Sequence, residues 1–430
     1  MRLISLFLIS MIFPIQAYSQ NLPHKFKDGD VIYADQINDN FEYLEKRFSG
    51  LRKTNVDCGT DGNGSGIKKA ILEGFTSITI SGICKENLLF GIWNNNFDRT
   101  NNQQFPRLVR LIGADSNSTI KDNSSNNDSL ILVDSGSTLI LDNLTLEGGL
   151  NGVYGTRNSN VLFDNVNINN FTNRGISIHD SSYLGVDEGG VNIQGNNAER
   201  GIYLSTGSSG WIYNAIISSV KRGIVIYGGS MTYINNFNIT GGEVGISVSA
   251  SKFLKYDNDG NGLGIIKNTS DRAIGVYDGV FTNWGNGRLE ISDFVGGRGL
   301  DIDRSIAEIR HLTVTGNNST DENLVDIRNS QFNIKNISLS ESGRHGLNLE
   351  HSNGKLDNIS IQNSNKSGLN IDGSNLNLET GDIQGSAENG IEVRNNSSLR
   401  GGWKNQEDTS LPQYMISVKS STRSGIYISS

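Results

Sequence analysis

Three aspartates and two arginines in the second half of the chain combine residue types that can act on polysaccharides. They are Asp301, Asp303 and Asp326, with Arg304 and Arg328 close by. Clustered carboxylates can hold Ca²⁺ against a substrate uronate while an arginine removes the α-proton, which is lyase chemistry. Alternatively, two carboxylates about 5–9 Å apart can share the acid and base roles of a glycoside hydrolase. A third interpretation is that these charges only solvate the outer face of a strand.

A second set of residues has the chemistry of a sugar-binding surface. It consists of Tyr203, Tyr227 and Tyr233, whose rings can stack on sugars, and of the carboxylates of Glu350 and Asp372. Single surface tyrosines are also common without any function. The set is therefore a hypothesis about substrate binding.

One segment starts like a calcium-binding loop. Asp257, Asp259 and Asn261 have the alternate spacing of the first EF-hand ligands, and Gly262 stands at the sixth position. The twelfth position is Asn268, where an EF-hand needs glutamate. The segment predicts either a weak Ca²⁺ site or an ordinary turn, and Ca²⁺ is the one cofactor that the sequence suggests.

A repeat must position all of these side chains. Gly346, Gly368 and Gly390 each begin a Gly-aliphatic-x-aliphatic segment, and they are 22 residues apart. Midway between them lies an aliphatic-x-Asn-aliphatic-x-aliphatic segment, such as residues 356–361. Both segments alternate with period 2 and leave no room for a helix, so the pattern predicts a solenoid of short strands. In the Gly-initiated strands the aliphatic residues point inward, and we expect the third and fifth side chains to face solvent.

The second segment of each repeat has a polar residue at one fixed position. Asp293 or His311 occupies it in two repeats, and asparagine occupies it in five others: Asn143, Asn165, Asn236, Asn336 and Asn358. Asparagine tolerates a left-handed backbone, and its amide can bond its copy one coil away. The pattern predicts an asparagine ladder at a tight turn.

The 22-residue coil, the asparagine ladder and a lid before the coils resemble the right-handed parallel β-helix superfamily typified by pectate lyases. The resemblance covers residues 56–430 and implies three parallel sheets. It also implies that the Gly-initiated strands form the first sheet, on which a substrate would bind, and it implies no particular activity. Residues 343–346 are similar to the Gly-His-Gly motif of polygalacturonases, but the neighbouring repeats lack that family's paired aspartates. We therefore expect no polygalacturonase activity.

Composition and charge argue against several functions. The chain has 430 residues, of which 51 are glycine and only 4 are proline, as expected for strands joined by many tight turns. Its net charge of −8, without a cluster of basic residues, argues against a nucleic-acid or anionic-membrane partner. No segment after residue 19 is apolar enough to span a bilayer, so we expect no membrane insertion. The same charge would repel acidic sugars unless a cation or local arginines intervene.

The N-terminus predicts export and assembly. Residues 1–19 combine Arg2, a short apolar run and small residues before Gln20, which is typical of a cleaved secretory signal. Residues 20–55 contain apolar side chains at heptad spacing, which predict either a short trimeric coiled coil or one amphipathic helix: Ala34, Ile37, Phe41, Leu44, Phe48 and Leu51.

Cys58 and Cys84 are the only cysteines, and in an exported protein we expect them to form a disulfide. Between them, Ser65 is a candidate cap for a short helix that ends at Gly74. We expect residues 56–110 to form a lid over the open end of the solenoid together with the first strands, and residues 111–430 to form the parallel β-helix.

The sequence thus predicts an all-β protein, a secreted right-handed parallel β-helix with a short N-terminal helix. The preferred function is a non-catalytic extracellular module that binds polysaccharide or mediates adhesion. Two alternatives stay open. The protein could be a polysaccharide lyase or glycoside hydrolase that uses the acidic and arginine residues, or a structural spike or coat element.

Overall fold

The described part of the computed structural model is a solenoid of parallel strands. It comprises residues 52–60, 64–91, 108–124, 128–257, 262–285, 287–317, 321–401 and 416–429. Each strand pairs in parallel with the equivalent strand one coil later, as predicted. The predicted signal segment and heptad helix lie outside these ranges. No helix within them is long and apolar enough to cross a membrane.

The first sheet is built from the strands at the repeating glycines. A Cβ atom at Gly346 would lie 2.8 Å from the carbonyl oxygen of Gly368 and 2.5 Å from the Ile361 side chain, which explains the glycine. The strands that belong to this sheet alone are Leu88–Phe90, Ile131–Val133, Asn151–Gly155, Arg174–Ile178, Val244–Ser249, Arg272–Tyr277, Arg298–Asp303, Val325–Arg328, Leu347–Glu350, Leu369–Asp372, Ile391–Arg394 and Ile426–Ile428.

The second and third sheets meet at a bend. Strands of the second sheet alone are Lys53–Asp57, Ser77–Ser81, Leu108–Gly113, Tyr183–Val186, Lys252–Asp257, Val280–Gly285 and Ser398–Gly401. Strands of the third alone are Ile83–Lys85, Thr119–Lys121, Leu263–Lys267, Arg288–Ser292 and Ile416–Lys419. Strands that run through the bend are Thr138–Glu147, Asn160–Asn169, Met231–Thr240, Ile306–Thr315, Gln331–Ser342, Asn353–Ser364 and Asn375–Gln384. Val191–Leu204 joins the third sheet to the first, and Ser209–Tyr227 passes through all three.

The asparagine ladder lies at this bend. Asn165 donates from Nδ2 to Oδ1 of Asn143 over 2.9 Å, and Asn358 donates in the same way to Asn336 over 2.9 Å. The expected left-handed backbone is present only in part. Among these asparagines, Asn143 and Asn165 have positive φ, whereas the later strands run through the bend without it.

A second ladder, which the sequence analysis missed, lies at the turn from the first sheet to the second. There a buried serine hydroxyl accepts the backbone N–H of the equivalent residue one coil earlier. Ser330 Oγ accepts from Ser305 over 3.0 Å, and Ser352 Oγ accepts from Ser330 over 3.1 Å. The same contact recurs at Ser182, Ser230, Ser251, Ser374 and Ser397. These hydroxyls satisfy N–H groups that would otherwise be buried without a partner.

The N-terminal segment contains the predicted disulfide, which joins Cys58 to Cys84. The helix Ile67–Leu72 packs beside the first two strands of the second sheet. Parallel pairing starts at Lys53–Asp57, ahead of the predicted start of the solenoid at residue 111.

The helix is capped differently from the prediction. The Ser65 side chain is not the cap, because the cap position is Gly66, which has no side chain to offer. Instead, the buried carboxylate of Glu86 accepts hydrogen bonds from the N–H groups of Gly66, Ile67 and Lys68, the last two over 2.8 and 3.0 Å. A residue from the following strand region therefore replaces the local cap.

We predict that Glu86→Ala lowers the free energy of unfolding by about 2 kcal/mol, because it leaves helical N–H groups unsatisfied. Amide hydrogen exchange should show lost protection in the helix Ile67–Leu72. Glu73→Ala is the control, since Glu73 is exposed at the other end of the same helix. Equal effects of the two substitutions would contradict the capping role of Glu86.

Candidate functional site

The predicted acidic group lies on the outer face of the first sheet, but two of its carboxylates are not in solvent. Asp301 and Asp326 point outward from neighbouring strands and pair in register. Their side chains are nevertheless only 3% exposed. Arginine side chains from flanking positions cover these carboxylates. The alternation of inward and outward residues along a strand predicts only direction, and it does not predict this burial.

Asp301 is enclosed by four donors. Its Oδ2 atom accepts a hydrogen bond from the Tyr277 hydroxyl over 2.7 Å and lies 3.2 Å from Nη1 of Arg272. Its Oδ1 atom accepts from Arg328 Nη2 over 2.8 Å and lies 3.3 Å from Arg298 Nη1. The carboxylate is therefore saturated by protein groups.

Asp326 belongs to the same network. Arg298 Nη1 lies 3.0 Å from its Oδ2, and Asn348 donates to its Oδ1 over 2.7 Å. Burial raises the pKa of the Asp326 carboxyl, and the hydrogen bond from Asn348 and the charges of Arg298 and Arg328 oppose this rise. Beside the network is an open pocket of about 390 Å³, lined by acidic and arginine side chains.

Asp303 and Arg304, predicted to join this group, form a separate and more exposed cluster. Arg304 makes two contacts with the carboxylate of Asp278, at 2.8 and 3.1 Å, and one with Asp303 at 2.8 Å. Asn329 also donates to Asp303, over 3.1 Å. The structure thus brings together Asp301, Asp326 and Arg328 and places the other two candidates apart.

The calcium-binding hypothesis rests on a segment that is described only in part. Asp257 is buried, and its Oδ2 accepts the backbone N–H of Gly262 over 2.8 Å, as in an ordinary turn. Asp259 and Asn261 lie outside the described residues. Within the described ranges, no group of three His, Cys, Asp or Glu side chains is arranged to hold a metal ion.

The predicted sugar-binding residues are divided among three places. Tyr203 and Tyr227 lie on the first sheet, where Tyr227 is 54% exposed. Glu350 and Asp372 lie on the same sheet several coils later, where Asp372 accepts a hydrogen bond from Asn395 over 2.6 Å. Tyr233 lies on the second sheet.

Tyr203 is the centre of a cluster that the sequence analysis did not identify. The guanidinium carbons of Arg174 and Arg200 lie 4.5 and 4.3 Å from the centre of its ring. The His179 ring lies 5.2 Å from Tyr203 and stacks on Tyr154 at 4.8 Å. The Tyr203 ring is thus engaged by cations, a different role from the predicted stacking on a sugar.

The imidazole in this cluster is held by hydroxyl groups. Ser205 Oγ lies 2.7 Å from His179 Nδ1, and Ser177 Oγ lies 2.7 Å from Nε2. Burial, together with the charge of Arg174, lowers the pKa of His179 to about 4. The ring is therefore neutral near pH 7, and the positive charge of the cluster resides on the arginines.

The outer face of the second sheet carries a group of aromatic side chains, called here the aromatic platform. Trp211 and Tyr233 are in register on neighbouring coils, with ring centres 5.5 Å apart. They line a cavity of about 120 Å³ together with Tyr213 and Tyr256. Trp284, which is 46% exposed, pairs with Tyr256 one coil later. The sequence analysis predicted only Tyr233 as a binding residue, because the bends of the coil prevent the sequence from showing that these aromatic residues share one face of the sheet.

We predict that Asp301→Asn lowers the free energy of unfolding by about 3 kcal/mol, because it leaves three guanidinium groups facing each other with less negative charge. Asp303→Asn, the same change two residues away, should have a much smaller effect, since its partner Arg304 is exposed. Chemical denaturation of both variants tests this. A loss at Asp303 as large as that at Asp301 would show that the buried network is not the stabilising one.

A comparison with known protein families agrees with the fold. Residues 110–261 match the family described as the right handed beta helix region. No curated protein matches the chain. The structure of full-length tailspike protein 2 from Escherichia coli O157:H7 bacteriophage CAB120 is similar over 83% of this chain, with 13% identity and a TM-score of 0.29. The alignment spans 47% of the length of that tailspike chain. The family match over residues 110–261, together with the parallel pairing of successive coils, shows that the fold of this chain is a right-handed parallel β-helix.

Proposed function

We propose that the protein is an exported, non-catalytic module that binds polysaccharide through the aromatic platform on the second sheet. The observation that carries this proposal is the spacing of the aromatic rings. Trp211 and Tyr233 repeat from one coil to the next, and neighbouring strands in a sheet lie about 4.8 Å apart. Ring faces at this spacing suit successive sugar units of a chain that lies along the solenoid axis.

The chemistry of the platform fits a sugar better than a charged ligand. Flat rings pack against the apolar C–H faces of a pyranose, and the hydroxyls of Tyr213, Tyr233 and Tyr256 can bond to sugar hydroxyls at the ring edges. The cavity between the rings also contains Asn235, whose amide group is neutral. None of the residues that line this cavity carries a charge at neutral pH.

The state of the first-sheet carboxylates supports a non-catalytic role. A general acid or base needs a lone pair or proton that is available to the substrate. Both oxygens of Asp301 are occupied by arginine and tyrosine donors, and Asp326 shares Arg298 with it. The lyase or hydrolase interpretation at Asp301, Asp326 and Arg328 would require this network to open.

Export and assembly belong to the same proposal. Residues 1–19 direct secretion, and the heptad residues between Ala34 and Leu51 join three copies, which multiplies weak sugar contacts. Both segments lie outside the described residues. The trimer is tested by the mass of the mature protein in solution, and a monomer would contradict it.

We predict that Trp211→Ala/Tyr233→Ala weakens polysaccharide binding at least tenfold, because about 1.4 kcal/mol of lost stacking is a factor of ten in affinity. Binding of the mature protein to a panel of neutral and acidic polysaccharides, measured by calorimetry, tests this. Tyr227→Ala is the matched control, since Tyr227 is an exposed tyrosine on the first sheet.

Three outcomes would contradict the proposal. Loss of binding in Tyr227→Ala but not in the double variant would move the sugar site to the first sheet. Release of reducing ends or unsaturated uronates from any polysaccharide, abolished by Asp326→Asn, would make the protein an enzyme. An absence of binding to the whole panel would favour the structural spike or coat element.

A further inference from the structure

Two arginines on the first sheet carry charges for which the described residues supply no carboxylate. Arg174 and Arg200 are half-buried and in register on neighbouring coils. In the described part of the chain, neither is within ion-pair distance of an acidic side chain. We propose that Arg174 and Arg200 form a binding site for an oxyanion, such as the carboxylate or sulfate group of an acidic glycan or a free inorganic anion.

A second pair of arginines on the same sheet binds a carboxylate of the protein itself. Register places Arg174, Arg200 and the exposed Arg222 in one column with Arg272 and Arg298, with Val244 between the two groups. The later two arginines converge on Asp301, at 3.2 and 3.3 Å. The repeat position of Asp301 is occupied by Tyr203 in the coil of Arg200. The earlier pair therefore has an aromatic ring where the later pair has a carboxylate.

The ring of Tyr203 offsets the arginine charges only in part. A cation over an aromatic face gains about 0.5–2 kcal/mol, but the ring accepts none of the in-plane N–H groups of the guanidinium. Arg174 uses Nη1 on Ser177 Oγ at 3.1 Å and on the His179 ring at 3.3 Å. The Nε atoms of Arg174 and Arg200 are buried without a hydrogen-bond partner. The two arginines therefore keep unsatisfied N–H donors and a positive charge that no carboxylate offsets.

The surroundings favour an oxygen anion over other ligands. Planar guanidinium groups bind carboxylate, sulfate and phosphate through paired N–H contacts. The hydroxyls of Ser177 and Ser205 border the same site. Burial lowers the pKa of Arg174, and the charge of Arg200 lowers it further, so an anion between them relieves their repulsion. The chain's overall charge of −8 makes this local positive site the more distinct.

Titration calorimetry of the mature protein with sodium sulfate at low ionic strength tests the proposal. Arg174→Gln/Arg200→Gln should lose at least tenfold in sulfate affinity. Arg288→Gln/Lys335→Gln, which removes the same charge at two exposed positions outside the first sheet, should stay within twofold of wild type. Arg174→Lys/Arg200→Lys keeps the charge without the planar fork, so it should fold and still bind sulfate more weakly than wild type.

The remaining arms identify the source of the anion. Displacement of a uronic-acid polysaccharide by sulfate would assign the site to an acidic glycan, and sulfate binding without polymer binding would assign it to a free oxyanion. Trp211→Ala/Tyr233→Ala should keep wild-type sulfate affinity, because the site is independent of the aromatic platform. Equal sulfate affinity in wild type and Arg174→Gln/Arg200→Gln, or no sulfate binding by wild type, would overturn the proposal.

Discussion

The hydrogen-bonded register between coils is the constraint on which the rest of the structure depends. Parallel pairing fixes each residue above its equivalent, about 4.8 Å away, so a residue type that recurs in the repeat becomes a column. Columns of apolar residues fill the interior. At one turn a column of serines satisfies backbone N–H groups, and at the bend a column of asparagines forms hydrogen bonds between side chains. Because every coil must meet the same backbone demands, its inner positions vary little. The outer positions are free to vary, and they carry all the chemistry that distinguishes one coil from the next.

This register explains why the first sheet has two different charged regions. One column of arginines runs beside the outward strand positions, and the residue opposite decides what each arginine pair does. Where that residue is Asp301, its carboxylate forms ion pairs with the arginines, and the buried network stabilises the fold. Where it is Tyr203, the ring holds the guanidinium groups in place without neutralising them. The difference between a carboxylate and an aromatic ring at this one repeat position thus distinguishes the stabilising cluster from the proposed anion-binding site.

The fold could be predicted from the sequence because its signals are local and repeated. The glycine at Gly346 indicates a close approach of two backbones, and the asparagine at Asn358 indicates a ladder. The same residue types occur 22 residues away, at Gly368 and at Asn336. The sites could not be predicted to the same extent. The burial of Asp301 depends on Arg272, 29 residues away, and on which way a long side chain folds across a strand. The cap from Glu86 and the platform around Trp211 likewise depend on contacts between coils, which no single repeat contains.

The energetics of the arginine column also bear on its purpose. A buried or half-buried charge costs free energy unless it is paired, and the later coils avoid this cost by placing Asp301 and Asp326 among the arginines. The earlier coils do not pair Arg174 and Arg200 with a carboxylate, although a carboxylate at the position of Tyr203 would fit the same register. Arg174 and Arg200 therefore stabilise the solenoid less than their later counterparts do. Side chains that stabilise a fold less than an alternative that would also fit are characteristic of functional sites, which agrees with a ligand-binding role for these two arginines.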